Sequence, residues 1–273
     1  MSRLAESTSR HPGSGPGAAT AAVPPFHWWR TVFFLIPLVA LYTIVLGTIS
    51  VVSTLFDRSG DTGHWCARTW SRLILTTTGV RVSVRGLEQL DRGRSYVLAA
   101  NHQSIYDIPI LFASIPLQLR IVAKASLGSI PFLGWHLHRT GHLLVDRKNP
   151  GVGIVEKMRR LVSASHSLIV FPEGTRSVDG RVGHFKKGSF LVAINAGLPV
   201  VPVSLSGSRH IMKKGRLMVR PGDVQLIIHA PISTADVKRT QVIGFGERVR
   251  EIVIRGVTDR EAAARDSSPA EVR

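Results

Sequence analysis

Residues 96–113 read YVLAANHQSIYDIPILFA, and the fold class turns on how that stretch divides. Tyr96–Ala100 is a short apolar run of strand length, and a second apolar run begins at Ile108. Between them stand Asn101, His102, Gln103, Ser104 and Asp107. Polar groups therefore gather where a strand ends. In open α/β sheets ligands bind at that end, because the loops there converge on a crevice. A His followed five residues later by Asp does not share one face of a regular helix with it. If His102 occupies the loop before the helix, the turn returns Asp107 to its ring, where a carboxylate fixes the tautomer and stabilises the imidazolium.

Working outward from there, the pattern after Gly79 alternates short β-branched runs with helical periods, which is an α/β pattern. The expected strands are 81–84, 96–100, 120–123, 142–145, 168–171, 200–205 and 224–229. Ile154, Val155, Met158, Leu161 and Val162 have helical spacing, and Phe245, Val249, Ile252 and Val253 mark a last amphipathic helix. No internal repeat is visible. At 273 residues the chain suits one sizeable domain with appendages, here 80–257.

The appendages differ in kind. Residues 1–25, rich in Ser, Gly, Pro and Ala, lack the apolar periodicity to bury a core and are expected to be disordered, as is the tail 258–273. Residues 26–79 are expected to anchor the chain to a membrane. No charged residue occurs from Thr31 to Phe56, and about 20 apolar residues suffice to cross the hydrocarbon layer. Trp28, Trp29 and Arg30 stand where interfacial aromatics and a basic anchor belong, and Pro37 is a point for a kink. The run exceeds a signal peptide's usual apolar core of about 7–15 residues, so a retained anchor is expected. The stretch His64–Thr78, with Trp65, Trp70, Leu73 and Ile74 beside Arg68 and Arg72, suits either an interfacial helix or an ordinary packed one. The two segments are compatible with a hairpin in one leaflet.

Lys+Arg 35 against Asp+Glu 18 leaves a formal charge of +17, which points to an anionic partner. The cations are scattered singly, without zinc-finger spacing or an aromatic RNA-binding signature, so nucleic acid is not an expected partner. The single Cys66 permits neither an internal disulfide nor a thiol pair. His136, His138 and His142 are the one metal-like spacing. The Thr140-Gly141 pair interrupts the helix, and no acid or thiolate nearby in sequence completes a zinc set, so no metal is expected. Neither a phosphate-loop Gly-Lys-Ser pattern nor a Gly-x-Ser-x-Gly elbow occurs.

A second polar cluster follows the strand at 168–171: Pro172, Glu173, Gly174, Thr175, Arg176 and Ser177. Pro and Gly end the strand and force a turn. Its backbone N–H groups, hydroxyls and guanidinium fork suit a phosphate. Glu173 would repel a phosphate, so orienting Arg176 or accepting a hydroxyl proton fits it better. Lys186 and Lys187 add positive charge nearby.

Alone, each cluster is a weak signal, since a lone His–Asp pair is more often structural and an exposed Glu-Gly-Thr-Arg turn is usually only a turn. Together and in order, the blocks resemble the lysophosphatidate acyltransferase family. NHQSIYD at 101–107 resembles the family's Asn-His-x-x-x-x-Asp block. Lys124–Arg147, with Pro131, Gly134, Gly141 and a closing Asp146-Arg147, is similar to its second block, FPEGTRS at 171–177 to its third, and VPVSL at 201–205 to its fourth. FKKGSF at 185–190 has the same look. The likeness covers roughly Gly79–Gly256, and Ser126, where many members place Glu, departs from it.

The resemblance implies a mixed central sheet flanked by helices. It implies His102 as general base, Asp107 as its partner, and Glu173, Gly174, Thr175 and Arg176 in acceptor binding, with Lys124 and Arg147 as further phosphate contacts. The reaction implied is transfer of a fatty acyl group from acyl-CoA or acyl carrier protein to lysophosphatidate at a membrane, without metal or organic cofactor. The acceptor's hydroxyl then attacks the thioester directly. His, with an unperturbed pKa of about 6.5, suits the proton transfer. Cytoplasmic placement is expected, because the thioester is made there. Other acceptors remain open: glycerol 3-phosphate, another lysophospholipid or a lyso-aminolipid. So does a non-catalytic, basic membrane-binding protein.

Overall fold

Val97, Leu98, Ala99 and Ala100 are sealed from solvent on both faces, as a strand must be when helices cover each side of its sheet. The computed structural model describes residues 25–57, 59–146 and 166–266. Within these, seven strands form one sheet: β1 (Val80–Arg85), β2 (Val97–Ala100), β3 (Leu119–Lys124), β4 (Leu143–Val145), β5 (Ser167–Val170), β6 (Val200–Ser206) and β7 (Gly222–Ile228). Their order is β1-β7-β6-β2-β5-β3-β4. Five neighbouring pairs run parallel and β6–β7 runs antiparallel, so the sheet is mixed. Each strand expected from sequence is present within two residues of its expected ends.

Alternation along β2 divides the core in two. Leu98 and Ala100 face a layer made by α3 (Asp61–Thr78), α4 (Asp107–Ser114) and α5 (Leu133–Arg139). Val97 and Ala99 face α6 (Lys187–Ala196) and α8 (Val242–Asp266), through Phe190, Ala193, Phe245, Val249 and Val253. A short α7 (Ser208–Ile211) follows β6. Helix α8 continues to Asp266, past the expected boundary at 257. Glu261, the three alanines 262–264 and Arg265 are strong helix formers and extend it.

Ahead of the sheet, α1 (Pro25–Trp29), a π-helical stretch (Arg30–Leu35) and α2 (Ile36–Ser53) form one continuous rod. Phe33, Phe34, Leu41, Ile44, Val45, Ile49 and Val52 on this rod are exposed. The window from Phe26 to Ser53 is long and apolar enough to cross a membrane. Its other side lies antiparallel against α3: Tyr42 Oη meets Thr77 Oγ1 at 3.1 Å, and Trp70 Nε1–H donates to Thr43 Oγ1 at 2.9 Å. Arg30, expected as an interfacial anchor, donates instead to the carbonyls of Thr77 and Thr78, the open C-terminal end of α3. Leu35 is part of the main core. Helix α3 is a packed helix, burying His64, Cys66, Ile74 and Leu75 while Trp65 stays exposed.

The expected helix at 154–162, the segment 1–24 and the tail beyond Asp266 lie outside the described residues.

Candidate active site

Strands β2, β3, β4, β5 and β6 are mutually parallel, so their carboxyl ends share one edge of the sheet. Asn101 leaves β2 at that edge. Its side chain continues the ladder that the backbone abandons, donating Nδ2–H to Leu205 O at 2.9 Å and accepting Leu205 N–H at 2.8 Å. This clamp on β6 fixes where the next residue, His102, begins.

Asp107 opens α4 and is fully buried. One of its oxygens, Oδ2, accepts from His102 Nδ1 at 2.8 Å, Gln103 N–H at 2.7 Å and Ser104 N–H at 2.8 Å. The loop 101–106 thus folds back on the first turn of α4, which is how a five-residue spacing becomes a contact. Because a carboxylate faces Nδ1, the proton of the neutral imidazole resides there and Nε2 carries the lone pair. Nε2 has no hydrogen-bond partner among the described residues and is not sealed from solvent. The ring stacks on Phe171, centroids 4.0 Å apart and planes 19° apart.

Phe171 ends the run from β5 and leads into the second cluster. Glu173 Oε1 accepts His102 N–H at 2.7 Å and Oε2 accepts Gly183 N–H at 3.0 Å. Both of its oxygens are therefore engaged by main chain. Burial pushes its carboxyl above the usual carboxylate range, against the pull of those two N–H groups. Ser177 N–H donates to His102 O at 2.8 Å, which joins the two clusters a second time.

Gly174 takes φ +72°, a left-handed conformation that suits glycine, and an added Cβ would lie 3.1 Å from Lys186 Nζ. The Lys186 amine thus lies across the turn. Beyond Gly174 the backbone N–H groups of Thr175 and Arg176 make no hydrogen bond among the described residues. Successive unpaired N–H groups after a left-handed residue form a concavity that suits an anion. Lys214 Nζ donates to Thr175 Oγ1 at 3.1 Å and Arg176 O at 2.9 Å, holding the outer side of the turn.

The structure brings together His102, Asp107, Glu173, Gly174, Thr175 and Arg176 at one edge. Lys124 is exposed at the end of β3, two strands from β2, about 10 Å by strand spacing. Arg147 lies outside the described residues. Among the described residues no group of His, Cys, Asp and Glu could hold a metal ion. His136 Nδ1 meets Ser50 Oγ at 2.6 Å, and His142 Nδ1 accepts Ile121 N–H at 3.1 Å. Sequence reasoning gave no role to Asn101, Phe171, Gly183 or Lys214. Asn101 carried a signal as a polar residue at a strand's last step; the other three act through contacts that spacing does not reveal.

A family model described as Acyltransferase matches residues 81–206. A 1-acyl-sn-glycerol-3-phosphate acyltransferase of Saccharomyces cerevisiae is 32% identical over 216 residues, 75% of this chain and 69% of that protein. The chloroplastic 1-acyl-sn-glycerol-3-phosphate acyltransferase BAT2 of Brassica napus is 37% identical over 183 residues, 65% of this chain and 53% of that protein. The chain spans about half the length of several curated relatives, among them the chloroplastic proteins of Brassica napus and Arabidopsis thaliana and a protein of Chlamydomonas reinhardtii. The crystal structure of the 1-acyl-sn-glycerophosphate (LPA) acyltransferase PlsC from Thermotoga maritima superposes with a TM-score of 0.67 at 29% identity, covering 83% of this chain and 96% of that one.

Proposed function

The chain belongs to the lysophosphatidate acyltransferase family, and on that premise we propose that it transfers a fatty acyl group from an acyl thioester to the free hydroxyl of lysophosphatidate, giving phosphatidate. One observation carries the reading: among the described residues His102 Nε2 has no hydrogen-bond partner while Asp107 holds Nδ1, beside a turn whose Thr175 and Arg176 N–H groups are likewise unpaired there.

The acceptor hydroxyl gives its proton to Nε2 as its oxygen bonds to the thioester carbonyl carbon. Asp107 stabilises the imidazolium that forms. When the tetrahedral intermediate collapses, the C–S bond breaks and the imidazolium returns the proton to the thiolate of coenzyme A or acyl carrier protein. Neither a metal nor an organic cofactor enters these steps.

Gly174, Thr175 and Arg176 hold the acceptor phosphate, with Lys186 close by and Lys124 farther along the edge. Glu173, both of whose oxygens are engaged, serves this site by holding the His102 loop. The exposed apolar rod supports attachment to a membrane, with the catalytic domain on the cytoplasmic side where the thioester is made.

The test is an assay of purified full-length protein with one acyl thioester against lysophosphatidate, glycerol 3-phosphate, other lysophospholipids and a lyso-aminolipid. Lysophosphatidate is the expected best acceptor. Turnover of another acceptor without lysophosphatidate would overturn the acceptor assignment, and no turnover at all would favour a non-catalytic membrane-binding role.

A further inference from the structure

The connection from β6 to β7 carries a feature that the proposed reaction does not use. Residues 212–220 read MKKGRLMVR, with four cations and no acid. Lys213, Lys214, Arg216 and Arg220 are exposed, and Leu217 is exposed at 56%. A lone exposed leucine is ordinary, but here it stands among cations on a loop whose base is fixed at both ends. Val219 is buried in the main core, and Arg220 N–H donates to Ile211 O at 2.9 Å.

Two further hydrogen bonds place this loop. Val219 N–H donates to Thr31 Oγ1 at 3.1 Å, and Thr31 belongs to the apolar rod, between exposed Trp28 and Trp29 on one side and exposed Phe33 and Phe34 on the other. At the other end, Ser104 Oγ–H donates to Met212 O at 2.8 Å, while Lys214 grips the Thr175–Arg176 turn. One short loop therefore spans from the aromatic collar of the rod to both halves of the active site. Cations around an apolar tip, continuous with an aromatic belt, fit the boundary between anionic headgroups and acyl chains.

We propose that the loop Met212–Arg220 is a second membrane contact, with Lys213, Arg216 and Arg220 on anionic phospholipid headgroups and Leu217 just beneath them. This rests on the reading that the rod meets lipid. The loop sets the His102 edge at the bilayer surface, where a lipid acceptor presents its phosphate without leaving the membrane.

The experiment places an environment-sensitive fluorophore on Leu217→Cys in a full-length Cys66→Ser background, with a second protein labelled at Leu41→Cys, a residue of α2 exposed at 54%. Both are reconstituted in phosphatidylglycerol–phosphatidylcholine vesicles containing lipids spin-labelled at a shallow or a deep acyl position. The Leu217 probe should be quenched by the shallow label more than by the deep one. Quenching at Leu41 without quenching at Leu217 overturns the loop contact while lipid attachment of the rod stands; quenching at neither site overturns both. In a Lys213→Gln/Arg216→Gln protein, Leu217 quenching should fall at least about twofold on anionic vesicles and stay unchanged on pure phosphatidylcholine. An equal response on both vesicles would overturn the headgroup recognition.

Discussion

Glu173, at the end of β5, accepts the backbone N–H of His102, at the end of β2, through a 2.7 Å hydrogen bond. The proposed base is thus fixed twice: its ring by Asp107 and its main chain by a neighbouring strand end.

His102→Ala should lower kcat about 10²–10⁴-fold with the fold intact, the usual effect of removing a general base. Asp107→Asn should also reduce kcat, since an amide removes the charge that stabilises the imidazolium even if its oxygen keeps some of the three donors now on Oδ2. Single-turnover assays on pure protein check both. Wild-type turnover in His102→Ala would exclude the proposed base.

Glu173→Gln replaces one accepting oxygen with an amide donor, so either the His102 or the Gly183 N–H loses its partner. Hydrogen bonds to charged groups contribute about 1.5–3 kcal/mol each. The expected result is a lower melting temperature and a lower kcat with KM for the acceptor nearly unchanged. A raised acceptor KM at unchanged kcat would make Glu173 a substrate ligand.

Arg176→Lys keeps the charge and loses the planar fork that grips two phosphate oxygens. Losing one charge-assisted hydrogen bond should weaken the phosphate-bearing acceptor about tenfold to a hundredfold and leave the acyl thioester almost unaffected. Saturation curves for the two substrates, measured separately, distinguish these. A shift confined to the donor would move the phosphate role to Lys124 or Arg147.

Acid should loosen the packing between the N-terminal hairpin and the core. Burial, with the Arg120 guanidinium nearby, lowers the His64 and His136 rings to about 4. A histidine depressed in the folded state contributes stability above its unfolded pKa of about 6.5 and loses it as pH falls through the folded value. The melting temperature in detergent should therefore be level above pH ~7 and fall from about 6.5 toward 4. Neither ring nitrogen of His64 has a hydrogen-bond partner among the described residues. His64→Phe, beside Phe112, should remain folded at neutral pH and lose less stability in acid. Parallel losses in both proteins would assign the sensitivity elsewhere.

Two glycines should respond oppositely to alanine. A Cβ at Gly134 would lie 2.2 Å from Gly128 O, a backbone atom that cannot turn away, so Gly134→Ala should destabilise by about 1–3 kcal/mol or more. At Gly188, in the first turn of α6, a Cβ meets nothing within 4 Å, and Gly188→Ala should stabilise by about 0.4–1 kcal/mol. Chemical denaturation of both variants checks the pair, and a destabilised Gly188→Ala would contradict the open space at that position.

The strands were legible because β2, β5 and β6 are short apolar runs buried on both faces while β1 and β7 alternate with period two, and the His102–Asp107 contact because a polar run at a strand end must become a loop. Strand order was not legible. Nothing local to Val80–Arg85 states that its partner is Gly222–Ile228. Glu173 was expected to orient Arg176 or accept a proton, yet it holds the His102 and Gly183 main chain, a role that depends on two strand ends becoming neighbours. Arg30 was read by its place beside an apolar run, whereas the unpaired carbonyls at the end of α3 determine its contacts.

The pairing of β1 with β7 also bears on how the protein is made. Arg81 and Asp223, bonded across these strands, are 142 residues apart in the chain. At synthesis rates of about 5–20 residues per second, β1 waits roughly 7–28 s for its partner to emerge from the ribosome. Throughout that interval it is an open edge, separated by α3 from a rod that has already met lipid in the proposed reading. Its alternation places Arg81, Ser83 and Arg85 against Val80, Val82 and Val84. Charges on one face of a solitary edge discourage pairing with other nascent chains. In the finished sheet β1 is still the outermost strand, so the same charged face is kept at a permanent edge.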